Sequence, residues 1–127
     1  MSGGLFWIIG CGNMAGAILR RWVDCGMDTT QLRIVDPALP DLPLGLSAIP
    51  AIPDAVTAAD RILLSVKPQL LDAVSSDVAR LVGPTTRLYS ILAGVEVATL
   101  RNRFAKAARI VRIMPNLSAA IGKSPVA

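Results

Sequence analysis

The residues whose types and spacing could do chemistry come early in the chain. Gly10-Cys11-Gly12-Asn13-Met14-Ala15 follows the pattern G-x-G-x-x-A, a turn that cradles phosphates between a strand and a helix. Gly10 permits the tight turn, Gly12 lacks the Cβ that would hold the backbone away from a pyrophosphate, and Ala15 lets the helix pack close to the strand. The helix start presents free N–H groups and the positive end of its dipole to the phosphates. Asp36 falls 24 residues after Gly12, near the roughly 20 expected of an acid that binds the adenosine ribose. The alternative is a glycine turn that serves packing alone, with Asp36 capping a loop. The two matches together favour nucleotide binding.

Asp36 also bears on which cofactor binds. A carboxylate accepts hydrogen bonds from the ribose 2′- and 3′-hydroxyls, and it repels a 2′-phosphate unless an arginine compensates. No basic residue lies between Arg33 and Arg61, so NAD(H) is expected over NADP(H).

These residues need elements to position them, and the periodicity supplies a set. Leu5 to Ile9 is a continuous apolar run ending in glycine, the mark of a strand buried on both faces. Met14, Ala17, Ile18, Trp22 and Cys25 then recur at helical steps, and Gly26 can stop the helix. Leu32 to Val35 reads as a second strand and closes a βαβ unit. After Asp36 the alternation lapses, because Pro37, Pro40, Pro43 and Gly45 interrupt any helical run. A weak third strand is expected around Leu46 to Ile49, and Pro53 can open a short helix reaching Ala59. Further on, strands are expected at 62–66, 88–92 and 110–113. A helix led by Pro68 and running toward Val82, and another from Val97 to Ala107, lie between them. The whole predicts an α/β, doubly wound parallel sheet, the Rossmann fold, as one domain over 1–127.

Other candidates sit at expected strand ends, where open α/β sheets bind ligands. Lys67, before Pro68, can reach a phosphate, the nicotinamide ribose or an anionic substrate, and an ordinary solvated lysine is an equal reading. Ala93-Gly94 leaves room for a flat ring or makes a simple turn. Asn116, after Met114-Pro115, could bond a carboxamide or the substrate, although a plain turn asparagine is the favoured reading. Cys11 needs only to be small, and filler is the better reading than a thiol activated by the helix start.

Composition excludes several classes. Of 127 residues, 53% are hydrophobic and 17% charged, too apolar for a disordered chain, yet no run is long enough for a membrane span. The start lacks the basic residue of a signal peptide, and glycines break it. Without histidine, His-dependent triads and the usual zinc sets are unavailable, and two cysteines make no disulfide framework. A cytoplasmic setting is therefore expected. The net charge of +4 arises entirely after residue 100, where Arg101, Arg103, Lys106, Arg109, Arg112 and Lys123 meet no acid. With aromatics at only 4% and no nucleic-acid motif, a solvated face or contacts to further protein are favoured over nucleic-acid binding.

Taken together, Ile9 to Met14, Val66-Lys67-Pro68-Gln69, Ser90 to Val95 and Val111 to Asn116, followed by Ala119 to Lys123, resemble the N-terminal domain of pyrroline-5-carboxylate reductase. The resemblance implies hydride transfer from a nicotinamide to the imine carbon of pyrroline-5-carboxylate, giving proline. It assigns the phosphate loop to Ile9, Gly10, Cys11, Gly12, Asn13 and Met14, the ribose to Asp36, and the middle of the cofactor to Val66, Lys67, Pro68 and Ala93. The sequence departs from the family in three places. Alanine follows Met14 where glycine is usual, the proline-rich stretch after Asp36 replaces a helix, and Leu117-Ser118 stands for Thr-Pro. In the family a helical second domain builds a dimer and completes the substrate site, so this chain is expected to bind NADH without appreciable reductase activity. Two alternatives stay open: the cofactor domain of another dehydrogenase of the superfamily, and a non-catalytic nucleotide-binding or protein-interaction module.

Overall fold

The computed structural model describes residues 5–26, 29–39, 42, 46–92 and 94–113. Its strands are the apolar runs: β1 (Phe6–Ile9), β2 (Leu32–Val35), β3 (Ala48–Ile49), β4 (Arg61–Leu64), β5 (Arg87–Ser90) and β6 (Arg109–Arg112). They form one sheet in the order β3-β2-β1-β4-β5-β6, with every pair parallel. This is the doubly wound order of the Rossmann fold, so the expected fold class is borne out. The order reverses at β1, which pairs with β2 on one side and β4 on the other; Ile9 stands beside both Val35 and Leu64. A crevice must open where connections leave these carboxyl ends for opposite faces.

Alternation along β1 divides the core in two. Phe6 and Ile8 pack with Ala15 and Leu19 of helix α1 (Asn13–Asp24). Trp7 and Ile9 belong to the opposite layer, with Leu71 and Val78 of α2 (Leu71–Ala79) and Leu100 of α3 (Val97–Arg103). Leu19, Ile62, Leu64, Leu88 and Leu100 are fully buried, each stabilising the fold by about 1.5–3 kcal/mol relative to exposure.

The helices end earlier than periodicity suggests. A 3-10 turn, Pro68–Leu70, precedes α2. Beyond Ala79 the amides of Leu81 and Val82 bond to the carbonyls of Val78 and Ala79, at 2.8 and 3.1 Å. These bonds span three residues, so the apolar positions continue inward through a tightened turn rather than a helix. α3 stops at Arg103 because Phe104 leaves helical geometry at φ −127° and enters the core. The Arg101 guanidinium donates to the Ala107 carbonyl at 2.6 Å, and Arg103 pairs with Asp72. Two of the terminal cations therefore have partners within the fold.

The largest departure lies between β2 and β4. No helix forms there among the described residues, and the one expected from Pro53 to Ala59 is absent; residues 50–60 run as bends and extended chain. Their backbone polar groups are met from outside the segment. The Ala59 amide donates to the Leu81 carbonyl at 2.7 Å, and the buried Thr86 hydroxyl donates to the Ala59 carbonyl at 2.5 Å while accepting from the Gly83 amide at 2.8 Å. A helix there would turn these groups inward to one another and take the Ala59 carbonyl from the Thr86 hydroxyl and the Ala59 amide from the Leu81 carbonyl.

Candidate functional site

The glycine turn is built by close approach. Gly10 has φ +83°, and a Cβ there would lie 2.9 Å from the Val66 nitrogen and 3.0 Å from its Cα. A side chain at Gly10 is thus excluded by conformation and by the β4 connection. The Gly10 amide donates to the Val35 carbonyl at 2.7 Å, and the Ser65 hydroxyl bonds back to the carbonyls of Ile9 and Gly10. The turn is therefore pinned to both neighbouring strands. Gly12 differs: its φ is −78°, and a Cβ there would meet nothing within 4 Å. Packing gives Gly12 no reason to be glycine, whereas a phosphate seated on the turn would. It forms the N-cap of α1, with no side-chain cap and no acidic residue in the first turn.

Asp36 follows β2 directly. Its carboxylate accepts hydrogen bonds from the Cys11 amide at 2.8 Å and the Ala38 amide at 2.9 Å, while its own amide donates to the Ile49 carbonyl at 2.9 Å. An ionised carboxylate has about four acceptor positions, so two bonds orient it and leave others for a ligand. Cys11 is buried. Burial, and secondarily the adjacent Asp36 charge, pushes its thiol pKa above the ordinary value, which favours the filler reading over an activated thiol.

These residues surround a cleft of about 440 Å³ at the switch point, within the size range of small-molecule sites. Ile9, Gly10, Cys11, Gly12, Asp36, Val66 and Lys67 all line it. Pro68 opens the adjoining 3-10 turn. Asn13 and Met14 lie in the first turn of α1; Ala93 and Asn116 fall outside the described residues. Ser65, Leu70, Val74 and Asp77 also line the cleft, as does a wall formed by Pro50, Ala51 and Ile52, and sequence reading missed them. Ser65 carried a signal, since it precedes Lys67 at a strand end; the wall residues carried none. A second groove, of about 470 Å³, runs on the α1 side past Phe6, Trp22, Arg61 and Tyr89. It is lined by the first residues of β1 and β4, Phe6 and Arg61, rather than by the carboxyl ends that bracket the glycine turn, so the candidate site is the switch-point cleft. Among the described residues no cluster fits a metal ion, and no helix is long and apolar enough to cross a membrane.

The sheet order and the glycine turn at its switch point define a Rossmann-type dinucleotide-binding domain. Residues 6–94 match the family model described as NADP oxidoreductase coenzyme F420-dependent, and the chain belongs to that family. Its relatives bear out the resemblance to the N-terminal domain of pyrroline-5-carboxylate reductases. The enzyme of that name from Pasteurella multocida is 33% identical over 123 residues, covering 91% of this chain and 45% of the relative. That from Methanosarcina acetivorans is 30% identical over 122 residues, with coverage of 91% and 45%. The structure of a pyrroline-5-carboxylate reductase from Coxiella burnetii superposes with a TM-score of 0.80 at 25% identity, over 94% of this chain and 47% of that one. The Plasmodium falciparum pyrroline carboxylate reductase, solved with NADP bound, shares the fold at a TM-score of 0.76 and 20% identity, over 96% and 46%. The chain thus spans about half the length of the proteins it matches.

Proposed function

We propose that this chain is the cofactor-binding domain, over 1–127, of a pyrroline-5-carboxylate reductase of proline biosynthesis, and that it takes NADH in preference to NADPH. The observation that carries the preference is the Asp36 carboxylate, held at the end of β2 by two amides and lining the cleft. Its remaining lone pairs suit two ribose hydroxyls and oppose a 2′-phosphate. The nearest preceding cation, Arg33, is turned to the carbonyls of Thr30 and Leu32 at the start of β2, so it does not offset the charge.

The open space at Gly12 and the uncapped start of α1 fit the pyrophosphate, with Ile9 to Met14 forming the loop. In this reading Val66, Lys67, Pro68 and Ala93 serve the middle of the cofactor, as the family resemblance assigns them, and Asn116 bonds the carboxamide or the substrate. When bound, the cofactor supplies a hydride for reduction of a cyclic imine. The role of this chain is to bind and orient it; the substrate side, the oligomer contacts and turnover belong to protein beyond this half. The same reading places the parent enzyme in the cytoplasm. The test is a fluorescence titration of both reduced cofactors with the wild type and Asp36→Ser. Wild type should bind NADH at least tenfold more tightly than NADPH, on the order of one charge repulsion in a half-buried site, and the substitution should erase that ratio. Equal affinities in the wild type would sink the preference, and absence of binding by either cofactor would sink the reading itself.

A further inference from the structure

The wall of the cleft beyond Asp36 is made by Pro50, Ala51 and Ile52, and among the described residues no helix of the same crossover stands behind them. Arg80 does. This residue caps the end of α2, and one nitrogen of its guanidinium donates to the carbonyls of Pro53, at 2.6 Å, and Asp54, at 3.2 Å. The other donates to the Ile52 carbonyl at 3.3 Å and the Asp77 carboxylate at 3.2 Å. Four acceptors thus converge on one planar fork, three of them successive carbonyls, that of Ile52 in the wall and those of Pro53 and Asp54 immediately after it. The Asp77 carboxylate aims the fork, and Leu70, Val74 and Asp77, from α2 and the turn before it, line the same cleft. Arg80 therefore ties the part of the lining at 50–52 to the part from α2 without itself being among the lining residues.

We propose that Arg80 is a positioning residue for cofactor binding: by holding the carbonyls of Ile52, Pro53 and Asp54, it fixes the wall against which the adenine half of the dinucleotide packs. The inference rests on the reading of the cleft as a dinucleotide site and adds the residue that sets its width on the adenosine side. The physical basis is preorganisation. A segment of bends and prolines with no internal hydrogen-bond ladder has several backbone arrangements, and ordering it only when ligand arrives subtracts from affinity. Arg80 orders it beforehand. Lysine, a point charge without the fork, can satisfy fewer of the three carbonyls at once.

The test uses the 127-residue chain with Arg80→Ala and Arg80→Lys, titrated with NADH and with reduced nicotinamide mononucleotide, which lacks the adenosine. Amide hydrogen exchange is read at residues 51–55 and at Gly10 to Gly12. The expected result is a Kd for NADH about tenfold higher in Arg80→Ala, with a smaller loss in Arg80→Lys. Affinity for the mononucleotide should be unchanged, and exchange should rise at 51–55 but not at the glycine turn. Equal losses for both ligands, or faster exchange at both places, would mean that Arg80 serves only general stability and would overturn the proposal. So would unchanged NADH affinity. If Arg80→Ala does not fold, Arg80→Lys decides by the same two ratios. If the wild type binds no NADH, the dinucleotide reading fails, while local exchange at 51–55 still reports whether Arg80 holds the wall.

Discussion

The two crossovers that flank the cleft solve one problem in different ways. Between β1 and β2 the chain forms α1, whose backbone groups pair within the helix and whose inward stripe, Ala15 and Leu19, seals one face of the sheet. Between β2 and β4 the described residues form no helix, and the other wall is tied from outside by Arg80, Thr86 and the Leu81 carbonyl. Both routes satisfy the rule that buried backbone groups be paired. A helix does so locally and tolerates change at its exposed positions, whereas a stitched segment depends on a few distant side chains. The second crossover should therefore be the more fragile to single substitutions.

The largest effects should appear where backbone and packing leave no alternative. Gly10→Ala forces a left-handed φ and a clash with the Val66 backbone, so about 3 kcal/mol of stability should be lost, measurable by denaturant unfolding. Gly12→Ala, two residues on, meets nothing and should cost no more than about 1 kcal/mol, that of a poorer N-cap. Its NADH affinity should nonetheless fall more than tenfold, because its methyl occupies the place of a phosphate. If both variants lose stability alike, the distinction between a glycine kept for the fold and one kept for the ligand collapses.

Thr86→Val is nearly isosteric and removes the hydroxyl that serves the Gly83 amide and the Ala59 carbonyl. It should destabilise by about 2–3 kcal/mol. An exposed position of α1, such as Arg20→Ala, should change stability by less than about 0.5 kcal/mol in the same assay. Comparable effects at the two places would break the contrast between a self-paired and a stitched crossover.

The smallest effect concerns Cys11, whose thiol is pushed upward by burial and by Asp36. A raised folded-state pKa means that the unfolded thiol gives up its proton first. Stability is then complete below the unfolded value and declines as pH rises from there through the folded value. Cys11→Ala should flatten that alkaline decline in melts taken across this range. Alkylation near neutral pH, mapped by mass spectrometry, should reach the exposed Cys25 well before Cys11. Preferential labelling of Cys11 would show that the glycine turn opens.

Legibility follows the same division. The first βαβ unit could be read almost residue by residue, since an apolar run, a glycine turn and a stripe at helical spacing are local patterns with local causes. The prolines after Asp36 argue against a helix there, in a stretch that lies largely outside the described residues, and they give no clue to how the following segment is held. Pro53 was misread as a helix start. Its segment has the composition of a short helix, and only the acceptors offered to Arg80 and Thr86 decide against one.

By itself the sequence determined the alternating α/β order, the glycine turn, the acid at the end of β2 and the family resemblance, because each depends on neighbours a few residues apart or on one recurring spacing. Tertiary structure alone decided that Ser65 locks the turn, that Gly10 rather than Gly12 is demanded by packing, and that Arg80 reaches carbonyls 26 to 28 residues away to make the far wall. Such contacts have no periodicity. They exist only once the parallel sheet has brought the chain after β3 and the end of α2 together at the same cleft.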